Sequence, residues 1–158
     1  MTREIQHMLA IIDQAYDHTS WHGTNLRGSI RRVSVDQAAW RPNPRRHNIW
    51  ETVVHAAYWK YAASRRFTGE ARGSFPLKGS NWFKRPAEKT GKAWKADIEL
   101  LEDMHRVLRA AVAELSVNDL ARTPSGKKVG NFALLSGIAA HDLYHAGQIQ
   151  LLKKLYSA

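Results

Sequence analysis

Ile5, Met8, Leu9, Ile12 and Tyr16 recur in steps of three and four, the period of one helix face, and predict a first amphipathic helix. The sequence WHG at 21–23 interrupts it. A shorter helical stretch is expected after Thr24, through Leu26 and Ile30, and Ser34 is placed to cap a short turn through DQAAW. RPNP at 41–44 then ends all helix, because proline lacks the amide donor and its ring clashes with the preceding turn. A second long helix is predicted from the cap Asn48 to the stop Gly69, and a third over Lys89 to Leu115, with the stripe Trp94, Ile98, Leu101, His105, Leu108, Val112 and Leu115. The last runs from Asn131 to Tyr156. Between the second and third helices, Gly73, Pro76, Gly79 and Pro86 break the chain into a long loop, which nevertheless carries Phe75, Trp82 and Phe83. A second loop, ARTPSGKKVGN, precedes the last helix. No stretch alternates with a period of two. The pattern predicts an all-α fold, a four-helix bundle formed by residues 1–158 as one domain, with the long loop covering one end.

The last helix carries an anomaly. Leu134, Ile138, His141, His145, Gln148, Leu152 and Leu155 step by four and three, as a bundle seam does, with His-His-Gln in its middle. Polar side chains on a buried stripe are costly unless partnered. Asp142 and Lys153 read as lying off this stripe. Two imidazoles four residues apart share a helix face, and two readings are open: a polar patch satisfied by its neighbours, or two of the three protein ligands of an open metal site. His55, in the apolar run WETVVHAAYWK of the second helix, is the candidate third ligand.

Composition narrows the chemistry. With no cysteine, disulfides and thiolate metal sites are excluded. The absence of cysteine fits a cytoplasmic protein, and no apolar run approaches the roughly 20 residues of a membrane span. The N-terminus has charges too early for a secretory segment. Twenty-four Lys and Arg against 14 Asp and Glu give a formal charge of +10, which raises the question of a polyanion partner. The basic residues, however, are scattered in pairs such as Arg31–Arg32 and Lys127–Lys128, and no nucleic-acid-binding motif is present, so nucleic acid is disfavoured as the main partner.

The pairing of IWETVVHAAYWK with HDLYHAGQI, with AWRP before the second helix, resembles the DinB-like superfamily of four-helix-bundle metalloproteins. That superfamily includes the bacillithiol transferases and the mycothiol-dependent maleylpyruvate isomerases. The resemblance covers essentially the whole chain. It implies that His55, His141 and His145 are the ligands of one divalent ion, zinc or nickel being the first candidates, with water completing the shell. It also implies a small-molecule substrate, homodimers in many members, and for some members a low-molecular-weight thiol that is transferred to an electrophile. The alternative reading is a non-catalytic metal- or ligand-binding module, for which a fourth protein ligand, His105 or His22, would speak. Gln148 and Glu51 are the catalytic candidates. Gln148 is placed to bond the metal's water or a substrate, or to be a packing amide. Glu51, one turn before His55, either orients that imidazole or is an acid favoured at a helix N-terminus. Trp82 and Phe83 are lid candidates; Trp50, Tyr58, Trp59 and Tyr144 are candidates for either a pocket wall or core. His7, His18 and His47 read as surface or helix-end residues.

Overall fold

The computed structural model describes residues 1–157 and is all-helical over them. Seven helices follow in order: α1 Arg3–Tyr16, α2 Leu26–Ser29, α3 Val35–Ala39, α4 Ile49–Thr68, α5 Gly91–Ala113, α6 Val117–Ala121 and α7 Asn131–Tyr156. The four long ones close a ring in which α1 packs on α5, α5 on α4, α4 on α7, and α7 on α1. This is the expected four-helix bundle. α2 and α6 lie against α7, and α3 against α4. No helix is long and apolar enough to cross a membrane among the described residues.

The ends of the helices follow the local chemistry. Asn48 and Glu51 form a reciprocal capping box at the start of α4, and Gly69 ends that helix in the left-handed conformation at φ 70°, which a side chain would strain. Ser34 caps α3 and Thr90 caps α5, each accepting from a backbone amide. The helix α6 was not foreseen: SVNDLA has only one turn of pattern, but Ser116 and Asp119 cap it reciprocally and Leu120 is buried.

The core has two apolar parts. One gathers Trp50, Val53, Trp94, Leu101 and Ile149, with Phe75 and Phe83 of the long loop. The other gathers Ile5, Met8, Ile12, Leu108, Val112, Leu135 and Ile138. Every position of the predicted α1 stripe is buried. Phe83, expected as part of a lid, is instead one of the loop's anchors in the core, because a 7%-exposed phenyl ring gains most of its transfer free energy by staying there.

The α7 stripe differs from the expected one. The residues that face the core are Leu135, Ile138, Asp142, His145 and Ile149, while Leu134 and His141 are half-buried and Gln148 and Leu155 are exposed. Both stripes step by three and four and share Ile138 and His145. Asp142, expected off the seam, is therefore one of its most buried residues, and its charge is met by Lys60 of α4, equally buried. Around this ion pair Tyr16 stacks on His105 with ring centroids 3.7 Å apart, and the Lys60 ammonium lies 4.9 Å over the Tyr16 ring. On α5 and α7 these polar residues fall between the two apolar parts of the core: Leu101, His105 and Leu108 on α5, and Ile138, Asp142 and Ile149 on α7.

Candidate metal centre

His55 of α4 and His141 and His145 of α7 meet where these neighbouring helices pack. The capping box fixes where α4 begins and places His55 two turns in, facing α7. On α7 the four-residue spacing sets His141 and His145 one turn apart on the same side. The Nε2 of His141 lies 3.0 Å from the Nε2 of His55 and 3.0 Å from the Nε2 of His145. His55 and His145 are buried and His141 is half-buried.

The outer nitrogens decide what the inner ones can do. His55 Nδ1 donates to the backbone carbonyl of Asn81 at 2.9 Å, and His145 Nδ1 donates to the side-chain oxygen of Gln148 at 2.7 Å. Each outer partner is an acceptor, so the proton sits on Nδ1 and Nε2 presents a lone pair inward. His141 can place at most one proton among them. Lone pairs that converge in this way are satisfied by a cation. Donors around a zinc ion at about 2.0–2.1 Å stand about 3.3 Å apart, a small ring rotation from the observed spacing. The residues present therefore fit a divalent ion, and the three histidines could hold one.

Electrostatics point the same way. Burial lowers the His55 pKa to about 4, and the neighbouring His145 and His47 push in the same direction against the Asn81 carbonyl. Burial, then His145, His55 and Lys60, lower His141 to about 3. His145 is also lowered, again chiefly by burial, with Gln148 opposing. All three imidazoles are neutral at pH 7, the state a ligand requires.

A roof covers His55. The Trp82 indole lies flat on it at 3.8 Å and is covered in turn by His47 at 3.6 Å, so the loop tryptophan is sandwiched between two imidazoles. Glu51 holds the outer layer. It accepts from Arg41 twice at 2.7 Å and lies 3.0 Å from His47 Nδ1, and it acts on His55 only through this stack. Burial alone would raise the Glu51 carboxyl, but Arg41, His47 and the Arg85 amide outweigh it and hold the pKa below the usual value. Trp59 donates from its indole nitrogen to the Asn81 side chain at 2.9 Å and stands edge-on to His55 and His141. Trp50 is in the core, donating to Asp97, and Tyr58 packs against Phe75 and Phe83. Tyr144 is 64% exposed beside His145.

The two candidates for a fourth ligand lie elsewhere. His105 is packed on Tyr16 and lies 3.7 Å from Asp13, and His22 is exposed within 3.2 Å of the Ser20 hydroxyl. Neither belongs to the three-histidine group. Beside His145 the site opens into a cavity of about 620 Å³ that Trp82 and Gln148 also line. A second cavity, of about 860 Å³, gathers Arg27, Arg31, Arg32 and Lys153 and touches none of the three histidines.

Sequence reasoning missed Asn81, Lys60 and the part His47 plays. Asn81 has φ 63°, and an asparagine after Gly79 is a turn signal, but nothing in a turn signal says that its carbonyl reaches a histidine 26 residues away.

An all-helical bundle with three converging imidazoles that could hold a metal ion is thus the class of protein in hand. A family model described as the DinB superfamily matches residues 18–149, and the chain belongs to that superfamily. No curated protein and no solved structure matches it.

Proposed function

We propose that the chain is a divalent-metal-dependent enzyme acting on a small molecule, with His55, His141 and His145 as the metal's protein ligands. The observation that carries this reading is the inward convergence of the three Nε2 atoms while carbonyl oxygens occupy Nδ1 of His55 and His145. Three protein donors beside an open cavity, with His105 and His22 placed elsewhere, is the pattern of a site that keeps a position for a reactant. A divalent ion bound there, zinc or nickel, supplies Lewis acidity that lowers the pKa of a water or thiol at the open position.

The protein's own groups do the rest. The Asn81 carbonyl and Gln148 fix the imidazole tautomers. Trp82, backed by His47 and Glu51, shields His55 from water. Gln148 is the polar side chain one turn from His145 that faces both ligand and cavity, and Glu51 is a positioning residue. The reaction is transfer of a low-molecular-weight thiol to an electrophile, or hydrolysis by activated water; superfamily resemblance favours the transfer, and the absence of cysteine means the thiol must come from outside the chain. Residues 1–158 acting as one domain, a homodimer and a cytoplasmic setting go with this reading on the resemblance and the composition.

The test is elemental analysis of protein purified without a metal-affinity tag, wild type beside His145→Ala, followed by thiol-consumption assays with a panel of electrophiles. Near-stoichiometric divalent metal that is lost in the variant, together with turnover in the wild type alone, is the expected result. Wild-type protein that takes up neither zinc nor nickel refutes the reading. Stoichiometric metal without turnover favours the binding-module alternative.

A further inference from the structure

The cavity beside His145 continues along α7 well past the histidines. His145, Gln148, Leu152 and Leu155 follow at steps of three, four and three, so they share a helix face, and ten residues of helix extend about 15 Å. Leu151 and Leu155 are 57% and 46% exposed. The last two turns of a bundle helix would ordinarily put such side chains against a neighbour, yet here they wall an open cavity together with Leu152. The opposite wall comes from the 42–47 segment. It supplies Arg46, and no carboxylate lines the cavity anywhere. The Arg46 guanidinium is in no ion pair among the described residues, whereas Arg41 is committed to Glu51.

An apolar wall, one unpaired cation and a set of converging imidazoles at one end describe a complementary ligand. We propose that the substrate of this site is an elongated amphipathic anion: an apolar chain or ring system along Leu151, Leu152 and Leu155, a single negative charge paired with Arg46, and a reactive end carried to the three histidines. The proposal rests on the metal-site reading for the role of that last end only. The volume, about 620 Å³, is that of a site for a small organic molecule and too small for a macromolecule. The charge fits as well: Arg46 meets no carboxylate in the cavity lining, so it attracts an anion, offsetting part of what the anion loses on leaving water, and repels a cation. The basic cavity around Arg27 and Lys153 lacks this character, since its lining includes the Asp17 carboxylate and no leucine or aromatic side chain.

The experiment is calorimetric titration of straight-chain carboxylates, from acetate through butyrate and hexanoate to octanoate, into zinc-loaded and metal-free protein, with zinc content measured on every sample. Each added methylene that reaches the leucine wall is expected to tighten binding by about twofold to fourfold. Leu151→Gln and Leu155→Gln, at exposed positions that the fold tolerates, flatten this dependence on chain length and leave zinc content unchanged. Arg46→Gln weakens all four carboxylates by a similar factor and preserves the slope. Octanoate that binds no more tightly than acetate overturns the proposal, as does a slope that the leucine variants do not alter. A third overturning result is a dimer that Leu155→Gln dissociates while octanoate stays unbound, because the leucines are then a subunit contact. Zinc that fails to bind while the chain-length slope persists in metal-free protein refutes the metal reading alone and leaves the cavity's specificity standing.

Discussion

Two polar clusters lie between the same two helices, and they are built on opposite principles. His55 and the pair His141 and His145 bring three neutral nitrogens together beside an opening. One turn further along α4, Lys60 meets Asp142 in the interior, both about 1% exposed, with Tyr16 and His105 packed around them. The first cluster has lone pairs in surplus and room for an ion. The second balances a cation against an anion and has no opening. A buried ion pair adds little net stability, since desolvation offsets the attraction, but it penalises every register in which one charge is left alone. Asp142 sits between the two histidines of α7 in sequence and Lys60 five residues after His55, so the registry that pairs the charges is also the one that closes the imidazoles. The comparison teaches that polar burial in this bundle takes two forms, one group of side chains that could hold an ion and one pair that already balances its own charge.

The largest effect is expected from removing a converging nitrogen: His55→Ala or His141→Ala abolishes stoichiometric metal while circular dichroism still reports a helical bundle. A variant that keeps its full metal shows that the three nitrogens do not act as one site.

Breaking the other cluster acts on stability first. Asp142→Ala or Lys60→Met leaves one charge buried and unpaired, and urea unfolding should show a loss of about 3–5 kcal/mol. The double variant Lys60→Met with Asp142→Leu should recover most of that loss. If the pair sets registry, the double variant binds metal more weakly than the wild type despite its restored stability. Unchanged metal affinity limits the pair to charge balance.

Gln148→Leu probes the proton on His145 Nδ1. Metal affinity should fall about tenfold in a chelator competition, at nearly unchanged urea midpoint, because Gln148 is exposed and its main partner is the imidazole. A fall in stability as large as the fall in affinity refutes this division.

The effect that is smallest at pH 7, and grows only as pH falls, is a pH dependence. His105 has its pKa lowered to about 3, first by burial and then by Lys60, Arg109 and His18, and it also faces Asp13 and Tyr16. In the unfolded chain it takes up a proton near pH 6.5 that the folded protein refuses. The unfolded state therefore binds more protons between those values, and stability falls as pH drops from about 6.5 toward about 3. In metal-free protein, His105→Phe should make that slope shallower by about one proton. An identical slope in both proteins shows that His105 is not held neutral.

Much of the fold was legible because period and punctuation are local. Ile5 to Tyr16, the Asn48 cap, the Gly69 stop and the span of α7 needed only the chain's own spacing. The convergence of His55 with HDLYH was also within reach, since two histidines one turn apart and a third in an apolar run announce an unusual burial. What local pattern could not do was choose between two stripes that overlap. On α7 the series through Leu134, His141 and Gln148 and the series through Leu135, Asp142 and Ile149 have the same period. A helix turns about 100° per residue, so the two differ by one residue of rotation. The choice fell to the partner helices: Lys60 of α4 offers the charge that lets Asp142 point inward, which leaves His141 at the edge and Gln148 exposed in the cavity wall.

The sequence by itself determined the four long helices, their ends to within two residues, and the residue types that can hold a metal, because propensity, capping and periodicity act between neighbours in the chain. Only the tertiary structure decided the rotation of α7, the Asn81 carbonyl behind His55, and the Trp82 roof held by His47. Each of these is a contact between residues 26 to 86 positions apart, or depends on one. Its energy exists only after the chain has closed those loops, and so no local pattern records it.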